Sequence, residues 1–412
     1  MYFFIIFSIF AQYLEAQIVV GKNPCEVCYN PINHKLYVSI AEASIIIVDG
    51  FNNEITDSII GLFNNHSLAY NFLNNKLYCA YGSDSIAVID GATNQIIKRI
   101  RSANTTGLGR SLYNPINNKI YFANHNSNNV SVIDGERDSL IKIIEEGIGE
   151  GPIHLCLSEH NNKIYCVNWG GNVSVISSDL DSVINVISVA PCPHSMCYNL
   201  RDKKVYVGHL YNPVVEIICT EGDTIITTIN VGSDIVPFGM CYDSIHNKIY
   251  ISTGANYVVV IDGETNNIID VIYFYGWPWI VFFNPLNKKI YVSYENPWIP
   301  ESSFVGIIDG STGRKIDSIS LYRRGAYYPF CLNPQENRVY IPHAWCDASG
   351  NPMDSVISII KDNSEISESS TCFFEIKYFP NSFDPEYIIL PFWIENIEIF
   401  EISGKLIKKE RR

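Results

Sequence analysis

Asn114-Pro115-Ile116-Asn117-Asn118-Lys119-Ile120-Tyr121-Phe122, followed by Val130-Ser131-Val132-Ile133-Asp134-Gly135, is the stretch that decides how this chain folds. It runs through a polar turn, a short apolar strand with Tyr near its middle, a second strand and an Asp-Gly turn. The same order recurs eight times, with the Tyr at Tyr37, Tyr78, Tyr121, Tyr165, Tyr206, Tyr250, Tyr291 and Tyr340. Successive spacings are 41, 43, 44, 41, 44, 41 and 49 residues. A near-constant period of that size is long enough for four short strands, the unit of a circular all-β array. Five repeats carry a Pro thirteen residues before the Tyr (Pro24, Pro152, Pro193, Pro237, Pro278), and a short apolar strand such as Glu26-Val27-Cys28-Tyr29 follows it. A fourth strand follows the Asp-Gly turn, as in Ile268 to Phe274.

These units predict an all-β, eight-bladed β-propeller, with seven blades plus one irregular unit as the alternative. No fourth strand follows the eighth repeat's third strand, Val356 to Ile360, whereas Gln17 to Val20 stands alone before the first full unit. That orphan is expected to complete the last blade, which joins the two ends of the array and removes its exposed edges. The pattern Pro-x-x-x-apolar, Asn-x-Lys-Ile-Tyr-Val, Val-Ser-Val-Ile-Asp-Gly resembles the YVTN family of β-propeller repeats over residues 17 to 362. The resemblance implies a propeller and no particular activity, since one such scaffold hosts many functions.

Residues 1–16 read as a secretion signal: Tyr2 to Phe10 is nearly all apolar, and Ala16-Gln17 offers a cleavage point. No Lys or Arg precedes that run, and no later stretch is long and apolar enough for a membrane helix. The net charge of −14 repels a phosphate backbone, which excludes nucleic acid as a partner. Most of the twelve Cys fall at core positions of the repeat, five of them nine residues before the Tyr (Cys28, Cys156, Cys197, Cys241, Cys331). Cys25, Cys192 and Cys346 fall on loops and are the better disulfide candidates. Residues 363–371 are polar and read as a linker. In 372–412, Tyr378-Phe379-Pro380-Asn381-Ser382-Phe383-Asp384-Pro385 and the later Ser403-Gly404-Lys405-Leu406-Ile407 resemble a shortened C-terminal sorting domain of the type IX secretion route. That resemblance implies a secreted or cell-surface protein that engages outer-membrane secretion machinery.

In a propeller the loops after strands two and four share one face, the usual ligand face. Trp169, His209, Tyr211, Trp277, Trp279, Tyr294, Trp298, Tyr328, His343 and Trp345 map there. Exposed aromatics with few charges make a stacking platform, so the expected role is a binding or scaffolding module for a glycan or protein partner. Six histidines map to the same face (His66, His125, His154, His194, His209, His343), but no pair shows recurrent metal-ligand spacing. No metal or other cofactor is expected. The Asp of the repeated Asp-Gly dipeptides shapes a turn, and no nucleophile elbow, zinc helix or phosphate loop is present. Glu26, Arg110, His154 and His194 are the candidates for a catalytic funnel, which would make the chain a lactonase- or lyase-like enzyme. A structural surface-layer component is a third reading.

Overall fold

In each repeat the second and third strands are apolar at successive positions rather than at alternate ones, a pattern that requires protein on both faces. Face-to-face stacking of the sheets supplies it. The computed structural model describes residues 12–42, 44–65, 67–102, 108–232, 237–299, 303–322, 325–343, 356–362, 396–400 and 406–411. Within them eight four-stranded antiparallel sheets form the blades of a closed propeller. The first strands meet one another around the central channel: Pro24–Asn30, Ser67–Asn71, Leu108–Asn114, Pro152–Ser158, Pro193–Asn199, Met240–Asp243, Trp277–Asn284 and Cys331–Asn333. The core lies between blades. Tyr37, Ile45 and Ile47 of blade one pack on Leu77, Cys79 and Ala87 of blade two, for example. The fourth strands face solvent and are mostly exposed, as in Ile55–Ile60.

The eighth sheet is closed by the chain's beginning. Gln12–Val19 pairs antiparallel with Val356–Asp362 and becomes its outermost strand. This strand starts five residues before the expected Gln17, and a bulge between Leu14 and Ala16 lets the longer segment follow the sheet. Residues 12–16 thus belong both to the expected leader and to the fold. Gln12 Nε2 donates to Asp362 Oδ1 at 3.1 Å, and Glu15 forms an ion pair with Arg338 at 2.6 Å.

The recurring Lys-x-Tyr ties each blade to the next. In blades one to five and eight the Tyr hydroxyl reaches over the next blade's turn between strands three and four, where an Asn or Asp stands at positive φ (Asn53, Asn94, Asp138, Asp181, Asp223, Asn266), and Tyr291 of blade seven donates to Asp362 at the end of the last blade's third strand. Tyr37 donates to Asn94 at 2.8 Å, Tyr121 to Asp181 at 2.9 Å, Tyr206 to Asn266 at 3.1 Å and Tyr340 to Asn53 at 2.7 Å. Tyr78 and Tyr165 bind Asp138 and Asp223 in the same way, and Lys76, Lys119 and Lys163 add ion pairs of 2.6–2.8 Å to those turns. Asn and Asp suit the turn twice over, since they tolerate the left-handed backbone and supply the acceptor.

Blade six breaks the pattern. Its Tyr250 hydroxyl is buried without a hydrogen bond, because the next turn carries Gly313, at φ 71°, in place of Asn. Gly313→Asn is expected to stabilise the protein by about 1 kcal/mol by satisfying that hydroxyl. Asp270 would lie 3.2 Å from the new Cβ, much as Asp57 lies beside Asn94 in the first pair of blades. A rise in the urea midpoint that disappears when Tyr250→Phe is added would establish the bond; no rise would reject it.

The structure corrects the loop placement of Cys25, whereas Cys192 lies on a loop as expected. Cys25 lies inside the first strand and is buried, and both Cys25 and Cys192 are free thiols. Cys346 lies outside the described residues, as do the linker and the Tyr378–Pro385 opening of the tail. In the tail, Asn396–Phe400 and Leu406–Arg411 form an antiparallel hairpin.

Candidate functional site

The channel is lined by the starts of the first strands. Five of these strands slip register there, between Pro24 and Glu26, Leu108 and Ser111, Pro152 and His154, Pro193 and Ser195, and Pro278 and Val281. A bulge re-aims side chains and often lies beside a site. Eleven residues before the repeat Tyr stand Glu26, Ser67, Arg110, His154, Ser195, Gly239, Ile280 and Pro329. One residue earlier stand Cys25, His194, Phe238, Trp279 and Tyr328 in their own blades. In the two positions that open the strand the repeat abandons its core residue types, although the rest of the blade keeps them.

The structure brings the four candidate funnel residues into one electrostatic group. Glu26 accepts the Leu68 N–H at 2.8 Å. Burial pushes its carboxyl up to about 7, against the opposing pull of that N–H, the Arg110 charge and Ser67. Burial drives His154 well below the ordinary imidazole range, and Arg110 and His194 push the same way. His194 is lowered to about 4 by burial and by Arg110. Both rings are therefore neutral at pH 7. Arg110 is lowered by burial, while Glu26 and Tyr328 hold its charge. Its side chain is nonetheless exposed in the channel. Arg110 makes no side-chain hydrogen bond or ion pair to a described residue.

An aromatic row covers another arc of the channel. His194 meets Phe238 at 6.1 Å, Phe238 meets Trp279 at 4.6 Å, and Trp279 meets Tyr327 at 5.1 Å, each edge to face. The Trp279 carbonyl accepts a hydrogen bond from Ser252, which anchors this strand to blade six. Trp279 Nε1 and His194 Nδ1 are buried with no hydrogen-bond partner. Phe238 escaped the sequence reading, although it occupies the same repeat position as His194, Trp279 and Tyr328. Tyr328 hydrogen-bonds the Cys25 thiol, which burial pushes up to about 11.

The rest of the expected face divides by burial. Tyr211, Trp277 and Trp298 are open to solvent, at 79%, 45% and 88% of their surface, and Tyr275, not singled out from sequence, joins them at 83%. Trp277 pairs in register with Glu295, and the Trp298 N–H binds Asn296, so both indoles belong to the rim of blade seven. Trp169 is half-buried. Three residues are core instead. His209 is fully buried 3.0 Å from Glu216, and His343 is fully buried 2.8 Å from Ser358. Tyr294 is sandwiched between Phe274 and Phe304. Each lies at the end of a second strand, where the neighbouring blade covers it. Trp345 and His66 lie outside the described residues. Among the described residues no three His, Cys, Asp or Glu side chains are grouped so as to hold a metal, and no helix is long and apolar enough to cross a membrane.

No known family profile and no curated protein matches the chain. Solved structures do match in fold. Saccharomyces cerevisiae Sqt1 superposes with a TM-score of 0.67 at 11% identity, over 85% of this chain and 97% of that one. Kuenenia stuttgartiensis hydrazine synthase gives 0.55 at 18% identity, over 72% of this chain and 97% of that one. The Cps50 (Swd1) β-propeller domain of Myceliophteria thermophila gives 0.53 at 10% identity, over 69% and 96%. At such identities the similarity is one of fold, and the chain is an eight-bladed β-propeller with distant structural neighbours.

Proposed function

We propose that this propeller is a glycan-binding module of the cell surface or its exterior. The observation that carries the reading is the exposed aromatic rim of blade seven, Tyr275, Trp277 and Trp298, continued by Trp279 toward the channel. Flat indole and phenol faces in a region poor in charge suit the C–H faces of sugar rings. The surface location rests on the apolar opening run of the chain and on the tail's likeness to a sorting domain. Trp298→Ala combined with Trp277→Ala is expected to weaken glycan binding at least about tenfold, as loss of an aromatic anchor does at other interfaces. Both positions are exposed, so the thermal midpoint should hold. Glycan-array binding followed by titration of the full chain reads this directly. Unchanged affinity in the double variant would reject the rim as the binding surface, and ordered self-assembly without ligand would favour a structural coat.

A second reading comes from the channel. A carboxyl with a proton affinity near neutrality, beside an Arg and two neutral imidazoles, is the equipment of acid–base chemistry. Conversion of a lactone or uronate during the same titrations would replace the module by a lactonase- or lyase-like enzyme.

A further inference from the structure

We infer that the channel mouth is a subsite for a carboxylate-bearing sugar, with the carboxylate on Arg110 and the ring on the Phe238–Trp279 row. This rests on the glycan reading and gives it a chemical preference. Arg110 is the starting point. A guanidinium carries five donors in a planar fork that fits a carboxylate, and here no described residue takes any of them. The guanidinium is exposed in the channel and has no hydrogen bond or ion pair to a described residue, so its fork is open to a ligand anion. Two further groups await a partner in the same channel. Trp279 Nε1 can only donate, and His194 Nδ1 is likewise buried and unbonded. Buried polar atoms are almost always hydrogen-bonded in folded proteins, so two unbonded nitrogens among the channel-lining first strands call for an explanation. The edge-to-face contacts of Phe238 and Trp279 set an apolar wall in the same channel. The chain's overall charge of −14 opposes non-specific capture of anions, so an anion site here must be local and directional.

The test compares a glucuronate-terminated trisaccharide with the glucose-terminated trisaccharide of the same linkage, titrated into the full chain. The acidic sugar is expected to bind at least about tenfold tighter, as a bidentate charged pair does over a neutral one. Arg110→Gln should erase the difference, and Arg110→Lys should keep part of it, because a point charge lacks the fork. Trp279→Phe keeps a ring and removes the N–H, and should cost the acidic sugar several-fold. The thermal midpoint of each variant checks folding, and Arg110→Lys stands in should Arg110→Gln fail to fold. Equal affinity for the two sugars, or a preference that survives Arg110→Gln, overturns the inference and leaves the rim reading intact. An acid preference that persists in the Trp277 and Trp298 double variant with affinity for both sugars unchanged upholds the inference and overturns the rim. Binding of neither sugar overturns both.

Discussion

Glu15→Ala is expected to destabilise the propeller by about 2–4 kcal/mol, the scale of leaving one half of a buried ion pair alone. Arg338, nearly buried, is the rivet of ring closure. Its guanidinium meets Glu15 of the terminal strand at 2.6 and 2.7 Å. It also donates to the carbonyls of Gly50 and Phe51 in blade one, at 2.9 and 2.7 Å. One side chain therefore joins the first residues of the fold, the last blade and the first blade. Burial disfavours its charge, but the Glu15 carboxylate outweighs that penalty and raises its affinity for the proton. Without Glu15, Glu336 at 3.5 Å is the one carboxylate among the described residues that remains to pair with it. Glu15→Gln keeps the hydrogen bonds and should cost about half as much. Urea unfolding measures both, and the cost should change little with salt, because a buried pair is weakly screened. A loss within about 0.5 kcal/mol, the range of an ordinary surface change, would show that backbone pairing alone closes the ring. By the same reasoning a chain trimmed after Ala16 should be less stable than one trimmed before Gln12, since the first loses Glu15 and the pairs from Gln12 to Ala16.

The repeat made the architecture legible because its residues do the same physical work in each blade. Tyr37 and its seven counterparts are fully buried, and most reach across to the next blade. A residue so constrained recurs, and recurrence is what a single sequence displays. The terminal strand was legible from Gln17 onward through the missing fourth strand, but its first half was not. Gln12–Ala16 looks like the end of an apolar leader, and only the partners Asp362 and Arg338, more than 300 residues away, give it a place. In the site, Glu26, Arg110, His154 and His194 could be read because they interrupt the repeat at its strand openings. His209, His343 and Tyr294 were misplaced for a related reason. They stand at the right end of the blade, but whether a residue there is open or covered depends on the adjacent sheet, which no spacing within one repeat records. The two unbonded nitrogens, Trp279 Nε1 and His194 Nδ1, are invisible in sequence, since an unpaired atom is defined by its surroundings.

Glu26→Gln is expected to make the protein more stable than its parent by about 1–3 kcal/mol at pH 8, with most of that gain gone at pH 5. The sign follows from where the proton sits. The folded carboxyl titrates at about 7, against 4.5 for an unperturbed Glu. Between those values the folded chain holds a proton that the unfolded chain has released. The stability that this raised affinity confers is complete below the unfolded value and is lost as pH rises through 7. Gln cannot ionise, so it escapes the loss, and its amide oxygen can still accept the Leu68 N–H. The full shift would exceed 3 kcal/mol, roughly 1.4 per unit, and water in the open channel reduces it. The neighbouring groups leave this window clear. Cys25 and Cys331 are raised to about 11 and 12, burial raises Cys28 and Cys79 as well, His194 is lowered to about 4, burial drives His154 well below the ordinary imidazole range, and Arg110 keeps its charge as guanidinium groups in proteins do. Parallel stability curves for parent and variant from pH 5 to 8 would mean that Glu26 ionises freely and that the channel is wetter than its walls imply. A divergence that grows from pH 5 to pH 7 and levels off above it would place a titrating carboxyl beside Arg110. The same proton would then govern the ligand: an ionised Glu26 competes for the guanidinium, so acidic-sugar affinity should fall from pH 5 to pH 8 in the parent and stay level in Glu26→Gln.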